Sequence, residues 1–352
     1  MRIAIDISQI VYGTGVSQYT TRLVDTLLQI DRENNYILFA GALRKRKDIL
    51  KLYPQAKVFP LSPKAANILW NRLHILSVES LIGRVDVVHT SDWAEPPSKI
   101  FKVTTVHDLI PLKFPKLLSK KIVETHVRKL RLVKKESNRI IVPSLSTKND
   151  LIDFGVGEDR IRVIPEAPVM HKANHSRVVD VKRKYKISDD YIVAFASAPY
   201  KNTERIIKAF DLSMGGKNMK LVLVGRQTAN PIKPKRNIRI TGYLSDEELS
   251  ALITGSKALV FASLYEGFGQ PILEAFKCGV PVVTSNISSM PEVAGEAAAL
   301  VDPYDVSSIK EGIETVLRGP KGFIEKGNKR IEEFSWEKTA RMTLEVYKES
   351  EI

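Results

Sequence analysis

The sequence predicts an α/β protein of two domains, each built on an open parallel sheet with crossover helices. Three observations carry this. At about 150 residues per domain, a chain of 352 residues has room for two cores. Short, β-branched apolar runs recur in two series, separated by stretches of helical periodicity. A charged, proline-containing interval at 165–186 stands between the series as a linker, which puts the boundary near residue 175.

In the first series, residues 3–7, 36–39, 85–89, 102–106 and 139–142 read as buried parallel strands, because strands covered on both faces are apolar throughout. The amphipathic stretches 17–30 and 117–137 supply crossover helices. The second series comprises 191–196, 221–224, 238–241, 258–262, 281–284 and 298–301. Open sheets of this kind bind ligands beyond the carboxyl ends of their strands, so two of them facing one another are expected to hold the functional site in a cleft.

Composition excludes several classes. With 43% hydrophobic and 27% charged residues, and only 19 Gly and 18 Pro, the chain is neither disordered nor fibrous. Its one cysteine, Cys278, admits no internal disulfide and no Cys-clustered zinc site, and fits a reducing, cytoplasmic setting. No run of 18 uncharged apolar residues is present. The opening residues alternate like a strand and carry Asp6 where a signal peptide needs an apolar run, so the chain is expected to start folded. The net charge of +14 is uneven: residues 1–150 hold 25 Lys/Arg against 13 Asp/Glu, the rest 29 against 27. An anionic partner for the first domain is therefore expected. A nucleic-acid partner is not, since charge alone would support it and no recognition motif does.

The chemistry concentrates at 258–286. A strand is followed by Glu266, Gly267, Phe268 and Gly269, then by Pro271, which suits the first turn of a helix, with Glu274 expected in that turn. Glycines permit close backbone approach, and a helix N-terminus offers free N–H groups to an anion such as diphosphate. Two carboxylates beside an anion site suit hydroxyl ligands, since carboxylates only accept hydrogen bonds. Phosphates together with sugar diols describe a nucleotide sugar.

This segment, with its two glutamates eight positions apart and the GVPVV that follows, resembles the signature of the retaining glycosyltransferases of family 4, which have the two-domain GT-B fold of facing Rossmann-like domains. The resemblance extends over nearly the whole chain: MRIAID and the Gly13-Thr14-Gly15 loop, the His107-Asp108 pair, VPSLSTKNDL, the Lys201-Asn202 pair, NIRITGYLSDEEL, MPEVAGEAAALVDP and FSWEKTA. It implies domains at 1–175 (acceptor side) and 176–334 (nucleotide sugar), with residues 335–352 as a helix crossing back to the first domain. It also implies roles. Glu266 would contact donor-sugar hydroxyls, Glu274 the ribose, and the amides of Gly267, Phe268 and Gly269 the sugar or diphosphate. Lys201, placed at the opening of a helix, would neutralise the donor phosphates. Gly13 and Gly15 would approach diphosphate and acceptor, and His107 the donor sugar, whereas His74, His89 and His126 read as hydrogen-bonded core residues. Relatives often carry an arginine shortly before the phosphate lysine. Here those positions are Phe195 and Ala196, which leaves Arg205 and Arg226 as replacements. Glu166 stands at an asparagine-glycine turn of relatives and has no role in this picture.

The activity implied is retaining transfer of a hexose, of the mannose or glucose class, from a nucleoside-diphosphate sugar to a glycan or lipid-linked acceptor in cell-surface polysaccharide or glycolipid synthesis. No cofactor is expected, and no metal, because no DxD-type cluster stands out. A nucleotide-sugar epimerase or phosphorylase, or a catalytically silent sugar-nucleotide-binding protein, are the competing readings. Between Lys113 and Arg139 there are ten Lys/Arg and two Asp/Glu. As a helix, this stretch places Leu118, Ile122, Val123, Leu130 and Val133 on one side and Lys120, Lys121, Arg128, Arg131 and Lys135 on the other, with Lys129 as the exception. That basic face is expected to meet anionic lipid at the inner face of the membrane.

Overall fold

The structure, a computed structural model, describes residues 1–91, 94–214, 219–225 and 236–351. They form two compact units, Met1–Glu166 with Ser335–Ile352, and Ala167–Phe334.

The first unit is built on seven strands: β1 (Arg2–Asp6), β2 (Asn35–Gly41), β3 (Lys57–Phe59), β4 (Val87–Thr90), β5 (Phe101–Thr105), β6 (Arg139–Val142) and β7 (Ile161–Val163). They lie in the order β3-β2-β1-β4-β5-β6-β7, all parallel. The chain first builds outward from β1 and then returns to its other side, the doubly wound Rossmann-like arrangement. The first crossover helix, Gly15–Ile30, starts at a capping box in which Thr14 and Ser17 satisfy each other's backbone N–H groups. It buries Tyr19, Leu23, Val24 and Leu27 in one core with Ile3, Ile5 and Val103. The helix Trp336–Lys348 adds Ala340, Val346 and Tyr347 to that same core. It is fixed by hydrogen bonds from Thr339 Oγ1 to the Pro165 carbonyl (2.7 Å) and between Tyr347 and His89 Nδ1 (2.6 Å). Glu349, just beyond it, pairs with Arg162 at 2.7 Å and with Arg139.

The second unit has six strands, β8 (Asp190–Phe195), β9 (Met219–Val224), β10 (Ile238–Gly242), β11 (Leu259–Phe261), β12 (Val282–Ser285) and β13 (Ala298–Val301). Their order is β10-β9-β8-β11-β12-β13, again all parallel. Successive residues of β8, β9, β11 and β12 enter different cores: Val193, Val222, Leu259 and Val282 face one, Ile192, Ala194, Leu221, Leu223, Val260 and Val283 the other. Burial on both faces is why these strands read as unbroken apolar runs.

Two features differ from the sequence reading. β3 and β7 are edge strands of three residues each, too short to leave a periodic signal. The interval at 165–186 is no free linker, because His175–Lys184 is a helix capped by Asn174, and Met170 and Val181 are buried in the core of the second unit. Ser250 donates to the His171 carbonyl and the Ala173 N–H to Thr254 Oγ1 (3.1 Å), so residues 167–175 pack with the second unit and the division falls at Glu166, before residue 175.

Candidate functional site

In the second sheet, β8 and β11 are adjacent at the point where the strand order reverses, and the loops beyond their carboxyl ends stand where sheets of this kind bind ligands. The loop after β8 makes a 3-10 turn, Pro199–Lys201, and then Asn202 adopts the left-handed conformation (φ 61°) ahead of the helix Thr203–Met214. Lys201 therefore stands in a turn before that helix and does not open it. Asn202 is the reason: its buried amide donates to the carbonyls of Ala262 (3.0 Å) and Pro303 (2.7 Å), clamping three loops together. Asparagine tolerates this conformation better than most residues.

The loop after β11 carries Glu266, whose carboxylate accepts from Lys201 Nζ at 2.7 Å; the ammonium also lies 4.8 Å from the centre of the Phe261 ring. Both side chains are largely buried, so the pair is shielded from solvent. The Glu266 backbone is held from the loop after β12. Ser288 Oγ and Ser289 Oγ donate to its carbonyl (2.8 and 3.0 Å), and its N–H donates to Ser288 Oγ (3.3 Å). Ser288 itself has a φ of 57°, a conformation the surrounding bonds must maintain.

Gly269 caps the next helix, Gln270–Cys278, at φ 105°, where a side chain would be strained, and Pro271 falls in the first turn. Phe268 turns its ring into the core, edge-on to Phe334 at 6.2 Å, which leaves its main chain for any ligand contact. Because the helix begins at Gln270, Glu274 is its fifth residue and lies in the second turn, buried, where the sequence had placed it in the first. Of the two arginines that could supply a second phosphate cation, Arg205 donates to Asn202 Oδ1 (3.0 Å) and lies over the Tyr304 ring. Arg226 lies outside the described residues.

In the first unit, Gly13 (φ 65°) turns the chain after β1 and Gly15 opens the first crossover helix. Tyr19, one turn along that helix, meets His107 edge-on with ring centres 4.7 Å apart. Thus the glycine loop and the histidine, 92 positions apart in the numbering, share one neighbourhood at the ends of β1 and β5. His107 Nδ1 is 3.2 Å from Glu166 Oε1 and its Nε2 is 3.0 Å from Ser91 Oγ. Glu166, without a role in the sequence reading, is a direct partner of a candidate site residue. Of the three histidines read as hydrogen-bonded core residues, His74 and His89 make side-chain hydrogen bonds, whereas His126 is only half-buried; His171 and His175 are exposed. His89 lies between Tyr347 and Thr105, its pKa pushed down to about 3 by burial; His126 is held down to about 4 by burial and by Lys129; His74 bridges the Trp70 carbonyl (2.7 Å) and Glu136 (2.6 Å).

The basic helix runs Lys120–Glu136 from a Ser119 cap. Lys120, Lys121, Arg131 and Lys135 are exposed, Arg128 is partly covered, and Lys129 is buried with Leu130 and Val133. Ile122 departs from the expected apolar side, being 44% exposed. With Ile68 it lines a groove of about 560 Å³ against the segment 63–72, rimmed by Lys64, Arg72 and Lys121. Among the described residues no group of His, Cys, Asp or Glu is placed to hold a metal ion, and no helix is long and apolar enough to cross a membrane.

Residues 13–167 match the sequence model of Glycosyltransferase Family 4, and residues 180–334 that of Glycosyl transferases group 1. The O-antigen chain mannosyltransferase B of Escherichia coli is 30% identical over 272 residues, 70% of this chain and 70% of that one. The serotype-specific mannosyltransferase WbdA of Escherichia coli is 31% identical over 269 residues; the match spans 70% of this chain but only 33% of that relative. Among solved structures, HepE of Anabaena in complex with UDP-glucose superposes with a TM-score of 0.71 over 99% of this chain and 100% of that one, at 16% identity, a likeness of fold.

Proposed function

The chain belongs to the group 1, family 4 glycosyltransferases, and on that premise we propose that it transfers a hexose of the mannose or glucose class, with retention, from a nucleoside-diphosphate sugar to a glycan or lipid-linked acceptor. The observation that carries this is the Lys201–Glu266 pair at the crevice between β8 and β11, beside the N-terminus of the helix Gln270–Cys278. A cation, a carboxylate and backbone amides at a helix start are groups that suit a sugar diphosphate. The relatives named as mannosyltransferases and the neighbour named with UDP-glucose support the sugar class.

In this reading Lys201 meets the diphosphate, the amides of Gly267, Phe268 and Gly269 the sugar or diphosphate, Glu266 the sugar hydroxyls, Glu274 the ribose, Gly13 and Gly15 the diphosphate and acceptor, and His107 the donor sugar. The acceptor hydroxyl attacks the anomeric carbon on the face from which the nucleoside diphosphate leaves. One C–O bond forms as another breaks, and the hydroxyl proton passes to a departing phosphate oxygen. The protein supplies position and charge stabilisation, with lysine and helix amides in the part a metal ion would otherwise take. Thermal shifts with a panel of nucleoside diphosphates, followed by turnover assays on the matching mannose and glucose donors, test the reading. A stabilising base without turnover would favour a silent sugar-nucleotide-binding protein.

The exposed basic residues of Lys120–Glu136, beside an apolar groove with a cationic rim, support docking of the first unit on anionic lipid at the cytoplasmic leaflet. Liposome co-sedimentation at low and high salt, with Lys120, Lys121, Arg128 and Arg131 changed to Ser, tests this. Equal binding to neutral and anionic vesicles would leave the basic face as a solubility feature.

A further inference from the structure

Glu166 is 7% exposed, and among the described residues the charged or titratable side chain it pairs with is His107. Among the described residues no lysine or arginine pairs with this carboxylate, and a buried carboxylate is costly to desolvate without a specific partner. The His107 ring is held at both nitrogens, Nδ1 by Glu166 at 3.2 Å and Nε2 by Ser91 Oγ at 3.0 Å. Its remaining freedom is limited by Tyr19, which meets it edge-on, is bonded through its hydroxyl to Thr105 (3.3 Å), and is braced from behind by Trp336 with ring centres 5.9 Å apart.

We infer that Glu166 is a positioning residue that fixes His107 as its Nδ1–H tautomer and so presents the Nε2 lone pair to a hydroxyl. A carboxylate accepts hydrogen bonds and cannot donate while ionised, so the ring nitrogen facing it carries the proton. The opposite nitrogen is then an acceptor, and in this structure the Ser91 hydroxyl is the group beside it. A sugar hydroxyl in that place would donate its hydrogen to Nε2, whereas the other tautomer would offer it a donor. The glutamate reaches a histidine 59 positions away in sequence. The role for sugar hydroxyls rests on the proposed reading that His107 meets the donor sugar. The tautomer does not.

The test is nitrogen-15 NMR of histidine-labelled protein, with kinetics on the nucleoside-diphosphate mannose or glucose donor that the wild-type protein turns over. Wild-type His107 is expected to show the Nδ1–H signature. Glu166→Gln, which keeps an acceptor at the same reach, is expected to retain that signature and most of kcat. Glu166→Leu is expected to shift the ring toward Nε2–H and to lower kcat by about tenfold, the worth of one well-made hydrogen bond, with nucleoside diphosphate affinity unchanged. An Nε2–H signature in the wild type overturns the inference without any variant, as does an unchanged signature in Glu166→Leu. A shifted tautomer with unchanged kcat overturns the catalytic consequence. If His107→Ala then also leaves kcat unchanged, the fault lies in placing His107 at the donor sugar and the tautomer assignment stands.

Discussion

Lys201 and Glu266, from the loops after β8 and β11, form an ion pair of 2.7 Å, so the lysine assigned to phosphate and the carboxylate assigned to the sugar neutralise one another. A diphosphate arriving at Lys201 competes for the same ammonium. Lys201→Ala and Glu266→Ala are each expected to lower kcat/KM by about tenfold to a hundredfold. Because the two side chains touch, the double variant should lose less than the two single losses combined. A double-mutant cycle on kcat/KM measures this, and strictly additive effects would mean that the residues act separately.

Lys201 and Glu274 should be separable by ligand. A compact ammonium binds phosphate and does not read a nucleoside. Lys201→Ala is therefore expected to weaken nucleoside diphosphate binding but not binding of the free nucleoside, whereas Glu274→Ala should weaken both, by about tenfold for one lost charged hydrogen bond. Calorimetry distinguishes them. In the same preparations EDTA should leave turnover intact, and restoration by magnesium after loss to EDTA would refute the role given to Lys201.

Lys102 on β5 and Glu95 are both fully buried and 2.9 Å apart, with Thr90 and Thr104 also hydrogen-bonded to the carboxylate. Lys102→Met would leave that carboxylate buried without its cation, which costs about 3–5 kcal/mol. Urea unfolding should show a loss of this size, and adding Glu95→Gln should recover part of it. A near-neutral Lys102→Met would mean that water reaches the site.

Acid should destabilise the protein through His89. Burial holds its folded-state pKa at about 3, below the unfolded value of about 6.5. Between these values the unfolded chain binds more protons, so stability is present above pH 6.5 and falls as the pH is lowered, by up to about 1.4 kcal/mol per unit for this one group. His126, held at about 4 by burial, acts in the same direction. Unfolding free energies between pH 4 and 7 should show a shallower slope in His89→Gln, and an unchanged slope would assign the effect to other groups.

What was legible in the sequence had a local signature. Eleven of the thirteen strands announced themselves through short apolar, β-branched runs, most of which feed cores on both faces of their sheet. The loop 266–269 was readable because glycine, proline and glutamate spacing is a short-range property. The rest depended on partners far apart in the chain. Nothing near Glu166 points to His107, and nothing near Glu266 points to Ser288 and Ser289, which hold its backbone from another loop. The helix His175–Lys184 was hidden for a different reason: it buries only Val181, so its charged surface resembles a linker. Lys201 was misplaced because a left-handed Asn202 separates it from the helix that its sequence context suggested.

The return of Trp336–Lys348 to the first unit has a consequence for the order of synthesis. Residues 167–334 form a continuous unit whose whole sequence has been translated before that helix exists. The first unit, although made first, cannot yet pair His89 with Tyr347 or brace Tyr19 with Trp336. Domains ordinarily fold in the order in which they emerge from the ribosome. Here the earlier-made unit cannot complete its core until Trp336–Lys348 has been made, and its apolar seam along the helix Gly15–Ile30 stays uncovered until then.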